Sequence, residues 1–342
     1  MQQYQSDLTQ EDAHEHSSGE QHDTETVGGS TANALAATSQ SETRGPTKGD
    51  IYSLVTERIV EQLKNGVVPW HLPITQRGSA KNLISGKDYR GINPFILNSS
   101  PYESRYWVTF RQARNLGGTV RKGERGYPVV YWHWRSEEEL KKLSTKTPAP
   151  ARCFPLYYTV FNLNQCDGIK TPPDDTERFN HSPIEEAERV VREMPRPPSF
   201  TTTNREAAYY IPSRDTICLP PLARFETAES YYSTLFHELG HSTGHESRLN
   251  RIASSKNRSF GSEEYSFEEL VAEMTAAFLC THCLIENQVS QSASYIDFWL
   301  AIFKKDRRIL LDSATSAQRA CDFILGKTFN DGDSRAATIT EV

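Results

Sequence analysis

Apolar side chains recur three or four positions apart from residue 50 onward, beginning with DIYSLVTERIVEQLKNG. This spacing predicts a helix that Gly66 can end. WVTFRQARNLGG predicts a second, shorter helix. TVRKGERGYPVVYWHWR predicts two short strands around a KGERG turn, and CFPLYYTVFNL predicts another strand. We therefore expect a first domain of mixed helix and strand, spanning residues 48–168.

The second half of the chain predicts mainly helices. They are expected near residues 184–193, 228–243 and 267–283, and in two pieces over 294–325. AAYYIPSRDTICLPP predicts a hairpin with its turn at 212–215. A stretch rich in proline and charge at 169–183 predicts a linker. The expected fold class is α+β, with a second domain at 184–327.

The two ends of the chain are polar. Residues 1–47 are rich in Gln, Ser, Thr and acidic residues and nearly lack aromatic and branched aliphatic side chains. Such a segment buries too little apolar surface to offset its ordering entropy, so a disordered leader is expected. The last segment, 328–342, is predicted to be a polar tail.

Composition favours a cytoplasmic protein that is not membrane-bound. The chain has no apolar run of the roughly 18 residues that a membrane span needs. Its start has neither the basic residues nor the apolar core of a secretory signal. Six cysteines scattered over 342 residues do not form a disulfide framework, which favours a reducing compartment.

Charge is distributed unevenly between the two halves. Between Lys48 and Arg135, 14 Lys and Arg residues occur with 6 Asp and Glu, a local net charge of +8. Because the whole chain carries −6, the remaining residues together carry −14. A basic region joined to an acidic one predicts a polyanionic partner for the first domain.

The basic residues of the first domain are interleaved with aromatic and amide side chains in KNLISGKDYRGIN, RYWVTFRQAR and VRKGERGYPVVYWHWR. Cations neutralise phosphates, and aromatic faces stack on exposed bases with about 1–3 kcal/mol per base. This mixture is typical of single-stranded nucleic-acid binding. A solvated surface over an aromatic core is the alternative, with Trp70 the first candidate for that core. The candidate DNA-binding residues are Lys81, Asn82, Tyr89, Arg90, Trp107, Arg111, Gln112, Arg121, Lys122 and Arg125.

The segment FHELGHSTGHESRL contains the pattern H-E-x-x-H at 237–241. Residues four apart share one face of a helix, so His237 and His241 can hold one metal ion. Glu238 lies beside them, where its carboxylate can take a proton from a water molecule. Thr227 is a suitable helix cap upstream. The segment therefore predicts two metal ligands and a catalytic base.

A zinc site of this kind needs a third protein ligand. The long metzincin pattern requires histidine at 247, where this chain has Ser247, and His245 is a less suitable candidate. The next helix, YSFEELVAEMTAAFLC, offers two glutamates four residues apart. In the gluzincin pattern the first of them, Glu269, is the ligand, and the second, Glu273, orients a ligand histidine.

A second interpretation of the same glutamates stays open. Ser266 and Glu269 match the capping-box pattern S-x-x-E. If Glu269 serves as a cap, then Glu273 becomes the metal ligand.

Together these motifs resemble the ArdC-type antirestriction proteins and the related metallopeptidase domains of mobile-element proteins. The matching segments include ERIVEQLKNGVVPWHLP, KNLISGKDYRGIN, VFNLNQCDGI, YYSTLFHELGHSTGHESRLNR and YIDFWLAIFKKDRRILLDSATSAQRACDFIL, and the resemblance spans about residues 49–327.

The resemblance implies an N-terminal domain that binds single-stranded DNA and a C-terminal zincin-like metallopeptidase domain. It also implies zinc or another divalent metal, and protection of incoming mobile DNA from host restriction endonucleases. A metallopeptidase domain also implies a protein or peptide substrate. The alternative function is coating of single-stranded DNA without catalysis, with a structural second domain.

Overall fold

The computed structural model describes residues 48–71, 79–143, 152–172, 183–205, 207–251, 263–287 and 293–327. The expected leader, most of the expected linker and the expected tail lie outside these residues. The described residues all belong to one compact unit. None of the helices in these ranges is long and apolar enough to cross a membrane.

The fold is a mixture of helices and strands, as the sequence predicts. The described helices are α1 (Lys48–Lys64), α2 (Asn93–Asn98), α3 (Phe110–Asn115), α4 (Glu137–Leu143), α5 (Pro183–Glu193), α6 (Ala228–Ser242), α7 (Glu263–Cys283), α8 (Ala293–Lys305) and α9 (Ile309–Ile324). The described strands are β1 (Lys81–Asn82), β2 (Tyr106–Thr109), β3 (Thr119–Val120), β4 (Tyr127–Trp134), β5 (Cys153–Asn162), β6 (Cys166–Asp167), β7 (Ser199–Thr202), β8 (Tyr209–Ile211) and β9 (Thr216–Leu219).

The first half is built on a four-stranded sheet in the order β1-β2-β5-β4. Strand β5 pairs antiparallel with both β2 and β4, and β1 pairs parallel with β2. The prediction of two strands around the KGERG turn is confirmed, but the two do not pair with each other. Strand β3 instead forms a separate two-stranded sheet with β6.

The predicted helix in WVTFRQARNLGG is wrong over its first residues. Residues Tyr106–Thr109 form β2, and the helix begins only at Phe110. The side chain of Thr109 accepts a hydrogen bond from the Gln112 backbone N–H at 3.2 Å. The Gln112 side chain accepts one from the Thr109 N–H at 2.9 Å. This capping box starts the helix where the buried strand ends.

The second half contains a three-stranded sheet in the order β7-β9-β8. Strands β8 and β9 form the predicted hairpin, and Asp215 takes a left-handed conformation in its turn, with φ of 47°. The predicted helices are confirmed as α5, α6, α8 and α9. Helix α7 begins four residues earlier than expected, so Ser266 lies inside the helix.

One hydrophobic core runs through both halves of the described chain. Trp70, from a short 3-10 turn at Pro69–His71, is 1% exposed, as the sequence predicts for a core residue. Its ring meets Trp299 of α8 edge-on, with centroids 6.2 Å apart. Arg90 forms an ion pair with Asp322 of α9. The two halves are therefore packed against each other through apolar and charged contacts.

Helices α6 and α7 come close enough for their backbones to touch at Gly240. A Cβ atom placed on Gly240 would lie 2.9 Å from the Cα of Ala272 and 3.2 Å from the Cβ of Thr275. Such distances leave no room for a methyl group without movement of the helices. This contact sets how near the side chains of α7 come to those of α6.

We predict that Gly240→Ala destabilises the protein by about 1–3 kcal/mol, because the added methyl overpacks the helix contact. In an open helix the same substitution stabilises by about 0.5–1 kcal/mol. Chemical denaturation of the metal-free protein shows whether the substitution lowers or raises the free energy of unfolding. A gain in stability would show that the two helices do not touch here.

Candidate metal centre and nucleic-acid interface

Two helices bring the three predicted metal ligands together. His237 and His241 lie one turn apart on α6, with their Nε2 atoms 3.1 Å apart. Glu269 of α7 places one carboxylate oxygen 3.6 Å from the His237 Nε2 and the other 3.6 Å from the His241 Nε2. Within the described ranges, these three residues form the one group of three or more ligand-type side chains close enough to share a metal ion.

The donor atoms fit a divalent transition metal. Two imidazole nitrogens and one carboxylate oxygen are the ligand types that zinc and related ions accept. Ligands about 2.1 Å from such an ion, in tetrahedral directions, lie about 3.4 Å from each other. The separations of 3.1 to 3.6 Å between the candidate ligand atoms match that arrangement with little movement.

The charges around the three residues favour a cation. Burial raises the pKa of the Glu269 carboxyl, but the neighbouring His241 and His237 outweigh it and lower that pKa to about 2. Burial lowers the pKa of the His241 imidazole, but Glu269, Glu268 and Glu238 outweigh it and raise that pKa to about 9. Several carboxylates thus surround two imidazoles, and their combined field attracts positive charge.

The predicted catalytic base, Glu238, is 6% exposed and follows His237 on α6. The helix that carries it begins as predicted, because the Thr227 side chain accepts a hydrogen bond from the Ser230 N–H at 3.1 Å. Glu238 is close enough for its charge to affect the His241 imidazole. Its role as a base stays a prediction.

Sequence reasoning missed a carboxylate that lies beside His241. An oxygen of Glu268 lies 3.8 Å from the His241 Nδ1. Arg251 donates two hydrogen bonds to Glu268, at 2.8 and 3.2 Å, and a third to the Gly240 carbonyl at 3.0 Å. Arg251 therefore ties the end of α6 to α7 and fixes the carboxylate beside the histidine. No sequence motif predicts the contact between Arg251 and Glu268, because the two residues lie 17 positions apart.

Glu273 is 4% exposed and lies one turn after Glu269 on α7. It accepts hydrogen bonds from the Trp70 Nε1 at 2.8 Å and from the Tyr295 hydroxyl. Burial raises the pKa of the Glu273 carboxyl to about 7. Its predicted role, orienting a ligand histidine, stays a prediction.

The two alternatives for the third ligand receive less support from this geometry. Ser266 is the fourth residue of α7, so it cannot cap that helix. Glu269, and not Glu273, lies close enough to the two histidines to share a metal ion with them. The ring of His245 has its Nδ1 2.9 Å from the Ser247 Oγ and lies outside that group.

The candidate DNA-binding cations differ in whether they form an ion pair with an acidic residue. Arg111, Lys122 and Arg125 are exposed. Arg121 is also exposed, but it pairs with Glu124 at 2.8 Å. Lys81 lies 3.6 Å from Asp88, and Arg90 is held by the ion pair with Asp322. Arg111, Lys122 and Arg125 are therefore better placed than the paired cations to bind phosphates.

Three of the remaining candidates form one hydrogen-bonded group. The Asn82 side chain donates to the Tyr89 hydroxyl at 3.4 Å and to the Gln112 Oε1 at 3.3 Å. The Asn82 Oδ1 also accepts from the backbone N–H groups of Ile84 and Ser85. These contacts join the segments KNLISGKDYRGIN and RYWVTFRQAR into one surface.

Trp107 does not fit the predicted role of a residue that stacks on bases. It is 2% exposed and belongs to a small core with Leu97, Val129 and Val160. A buried ring has no free face for a base, so this prediction needs correction. The neighbouring Phe110, by contrast, is 53% exposed at the start of α3.

Comparison with known proteins matches both halves to family models. Residues 49–161 match the N-terminal domain of the anti-restriction factor ArdC, and residues 185–316 match a zincin-like metallopeptidase. The chain is 34% identical to the antirestriction ArdC protein from the R388 plasmid in its Mn(II)-bound crystal structure. That match covers 81% of this chain and 97% of the other, with a TM-score of 0.64. The chain belongs to the ArdC antirestriction family.

A second crystal structure and two curated proteins are similar over a comparable share of the chain. The metal-free crystal structure of the R388 protein matches with a TM-score of 0.63 and 32% identity, covering 84% of this chain and 98% of that one. The uncharacterized protein y4eC of Sinorhizobium fredii is 34% identical over 81% of this chain and 92% of its own length. A DNA primase TraC of Escherichia coli is 34% identical over 81% of this chain. The match spans only 27% of that primase.

We predict that Glu268→Gln weakens divalent-metal binding about tenfold or more in this ArdC-family chain, because the substitution removes the charge that supports His241. Titration of the metal-free protein with Mn²⁺ or Zn²⁺ measures the affinity. Glu286→Gln, at an exposed position after α7, is the matched control. Equal affinity in Glu268→Gln and the control would exclude a role for Glu268.

Proposed function

We propose that this protein binds single-stranded DNA through its first half and carries a metal-dependent peptidase site in its second half. It would thereby protect incoming mobile DNA from host restriction endonucleases. The observation that carries the proposal is the convergence of His237, His241 and Glu269 next to Glu238. The metal would be zinc or a related divalent ion, and the Mn(II)-bound crystal structure of the R388 protein supports this class of ion.

A divalent ion bound by these three side chains would polarise a peptide carbonyl and lower the pKa of water. Glu238 would take a proton from the attacking water and pass it to the leaving amine. Glu269 and the two histidines would bind the ion, and Glu268 would keep the His241 ring in place. Burial of Glu238 limits the access of bulk water to its carboxyl.

Strand β8 is a candidate for substrate binding. It lies at the edge of the sheet β7-β9-β8, and α6 packs against it. An extended peptide can pair with such an edge through backbone hydrogen bonds. Such pairing would hold a peptide next to the helix that carries Glu238. The substrate would then be an unfolded or extended protein segment.

The exposed cations and Phe110 support DNA binding by the first half. Arg111, Lys122 and Arg125 can neutralise phosphates, and the half-exposed Phe110 ring can stack on a base. DNA would attract the basic first half and repel the acidic remainder of the chain. This difference would orient the exposed cations toward the DNA. Two relatives of this chain are named DNA primase TraC, and that name is consistent with a DNA partner.

A second candidate function is occupancy of single-stranded DNA without catalysis. The observation that favours it is the exposure of Phe110, Arg111, Lys122 and Arg125, side chains that would bind DNA without a metal ion. Under this function the metal site would stabilise the second half. Restriction protection that survives the loss of Glu238 would distinguish the two.

We predict that Glu238→Ala lowers peptidase activity by about 100-fold or more, because the proton acceptor is removed. Metal and DNA binding should stay unchanged. The measurement is cleavage of unfolded protein substrates by the metal-loaded protein, with Glu246→Ala, an exposed glutamate after the same helix, as control. Cleavage at the wild-type rate by Glu238→Ala would refute its role as the base.

We also predict that Phe110→Ala and Arg111→Ala each weaken binding to a short single strand. Loss of stacking at Phe110 should cost about 1–3 kcal/mol. Loss of Arg111 should reduce the salt dependence of the affinity, because one phosphate contact disappears. The control is Arg214→Ala, an exposed arginine in the β8–β9 turn. Wild-type affinity in both variants would place the DNA elsewhere.

A further inference from the structure

Trp70 connects the first half of the chain to both helices of the metal centre. It is the central residue of the 3-10 turn at Pro69–His71, within the region that matches the ArdC N-terminal domain. Its side chain contacts a residue of α7, and its backbone contacts a residue that reaches α6. Every group in these contacts is buried.

The first connection runs through the side chain of Trp70. Its indole Nε1 is 2.8 Å from the Glu273 Oε2 and 3.1 Å from the Tyr295 hydroxyl. Tyr295 also donates to the same oxygen of Glu273. Glu273 lies four residues after Glu269, so the two glutamates share one face of α7. The indole therefore fixes a carboxylate one turn from the metal ligand.

The second connection runs through the backbone of Trp70. Asn287 donates from its side chain to the Trp70 carbonyl at 3.1 Å. The Ser233 hydroxyl donates to the Asn287 Oδ1 at 2.6 Å. Ser233 lies four residues before His237, on the same face of α6. The second helix of the metal centre is thus linked to the same tryptophan.

We infer that Trp70 is a positioning residue of the metal centre, which holds α6 and α7 in the register that brings His237 and Glu269 together. This inference rests on the proposed metal site. The ArdC N-terminal region then completes the metal centre of the zincin-like domain. A shift of either helix relative to Trp70 would leave buried donors and acceptors without hydrogen bonds, which is energetically costly.

The inference explains why a glutamate is kept in the core between the two halves. Burial alone disfavours an ionised glutamate. An indole N–H and a phenol O–H offset that cost and also fix the direction of the carboxylate. An apolar residue in place of Glu273 would pack as well but would not tie Trp70 to α7.

The test uses Trp70→Phe and Tyr295→Phe in the full chain. Each keeps an aromatic ring in the core and removes one hydrogen-bond donor to Glu273. The matched control is Trp299→Phe, because that indole lies in the same aromatic cluster and is not a donor to Glu273. The readout is the dissociation constant for Mn²⁺, from the free-ion signal in electron paramagnetic resonance.

We expect both test variants to bind Mn²⁺ about tenfold or more weakly than the wild type, as for other residues that support metal ligands. The control should bind like the wild type. The rise in unfolding midpoint that Mn²⁺ causes should also shrink in the two test variants and not in the control. A merely structural role would lower the midpoints with and without metal by equal amounts.

Wild-type affinity in Trp70→Phe and Tyr295→Phe would overturn the inference and leave the metal centre intact. Equal weakening in the Trp299→Phe control would also overturn it, because the effect would then come from general core packing. Absence of Mn²⁺ and Zn²⁺ binding in the wild type would overturn the proposed metal centre together with this inference.

Discussion

The close approach of α6 and α7 at Gly240 is the contact on which the rest of the site depends. Without a side chain at that position, the backbone of Ala272 lies against the helix that carries the histidines. The distance between the two helices then lets a glutamate of α7 reach two imidazoles of α6. A wider spacing would separate the ligand atoms and leave the Glu269 carboxylate without the two histidines that offset its partial burial.

The acidic surroundings of the site need support from the rest of the molecule. Arg251 neutralises Glu268, and Trp70 and Tyr295 satisfy Glu273 by hydrogen bonds. These partners come from a loop after α6, from the first half of the chain and from α8. The candidate metal centre is therefore supported by residues from both family regions, which share one hydrophobic core.

Local patterns predicted the parts of this protein that local contacts determine. The helix with His237 and His241, the glutamates of α7 and the β8–β9 hairpin all follow from spacing within a few residues. Periodicity does not distinguish strand β2 from the first turn of a helix, because the strand is short and runs directly into α3. The burial of Trp107 and the partners Glu268 and Trp70 depend on contacts between distant segments, which no spacing reveals.

Anomalous diffraction from crystals grown with Zn²⁺ or Mn²⁺ tests the central claim most directly, because it locates the ion without assuming its ligands. The account predicts one strong peak within about 2.0–2.2 Å of the Nε2 atoms of His237 and His241 and of a Glu269 oxygen. A peak that involves Glu273 or His245 in place of Glu269 would contradict the assigned ligands. A well-ordered, metal-soaked crystal with no peak near α6 would contradict the metal centre itself.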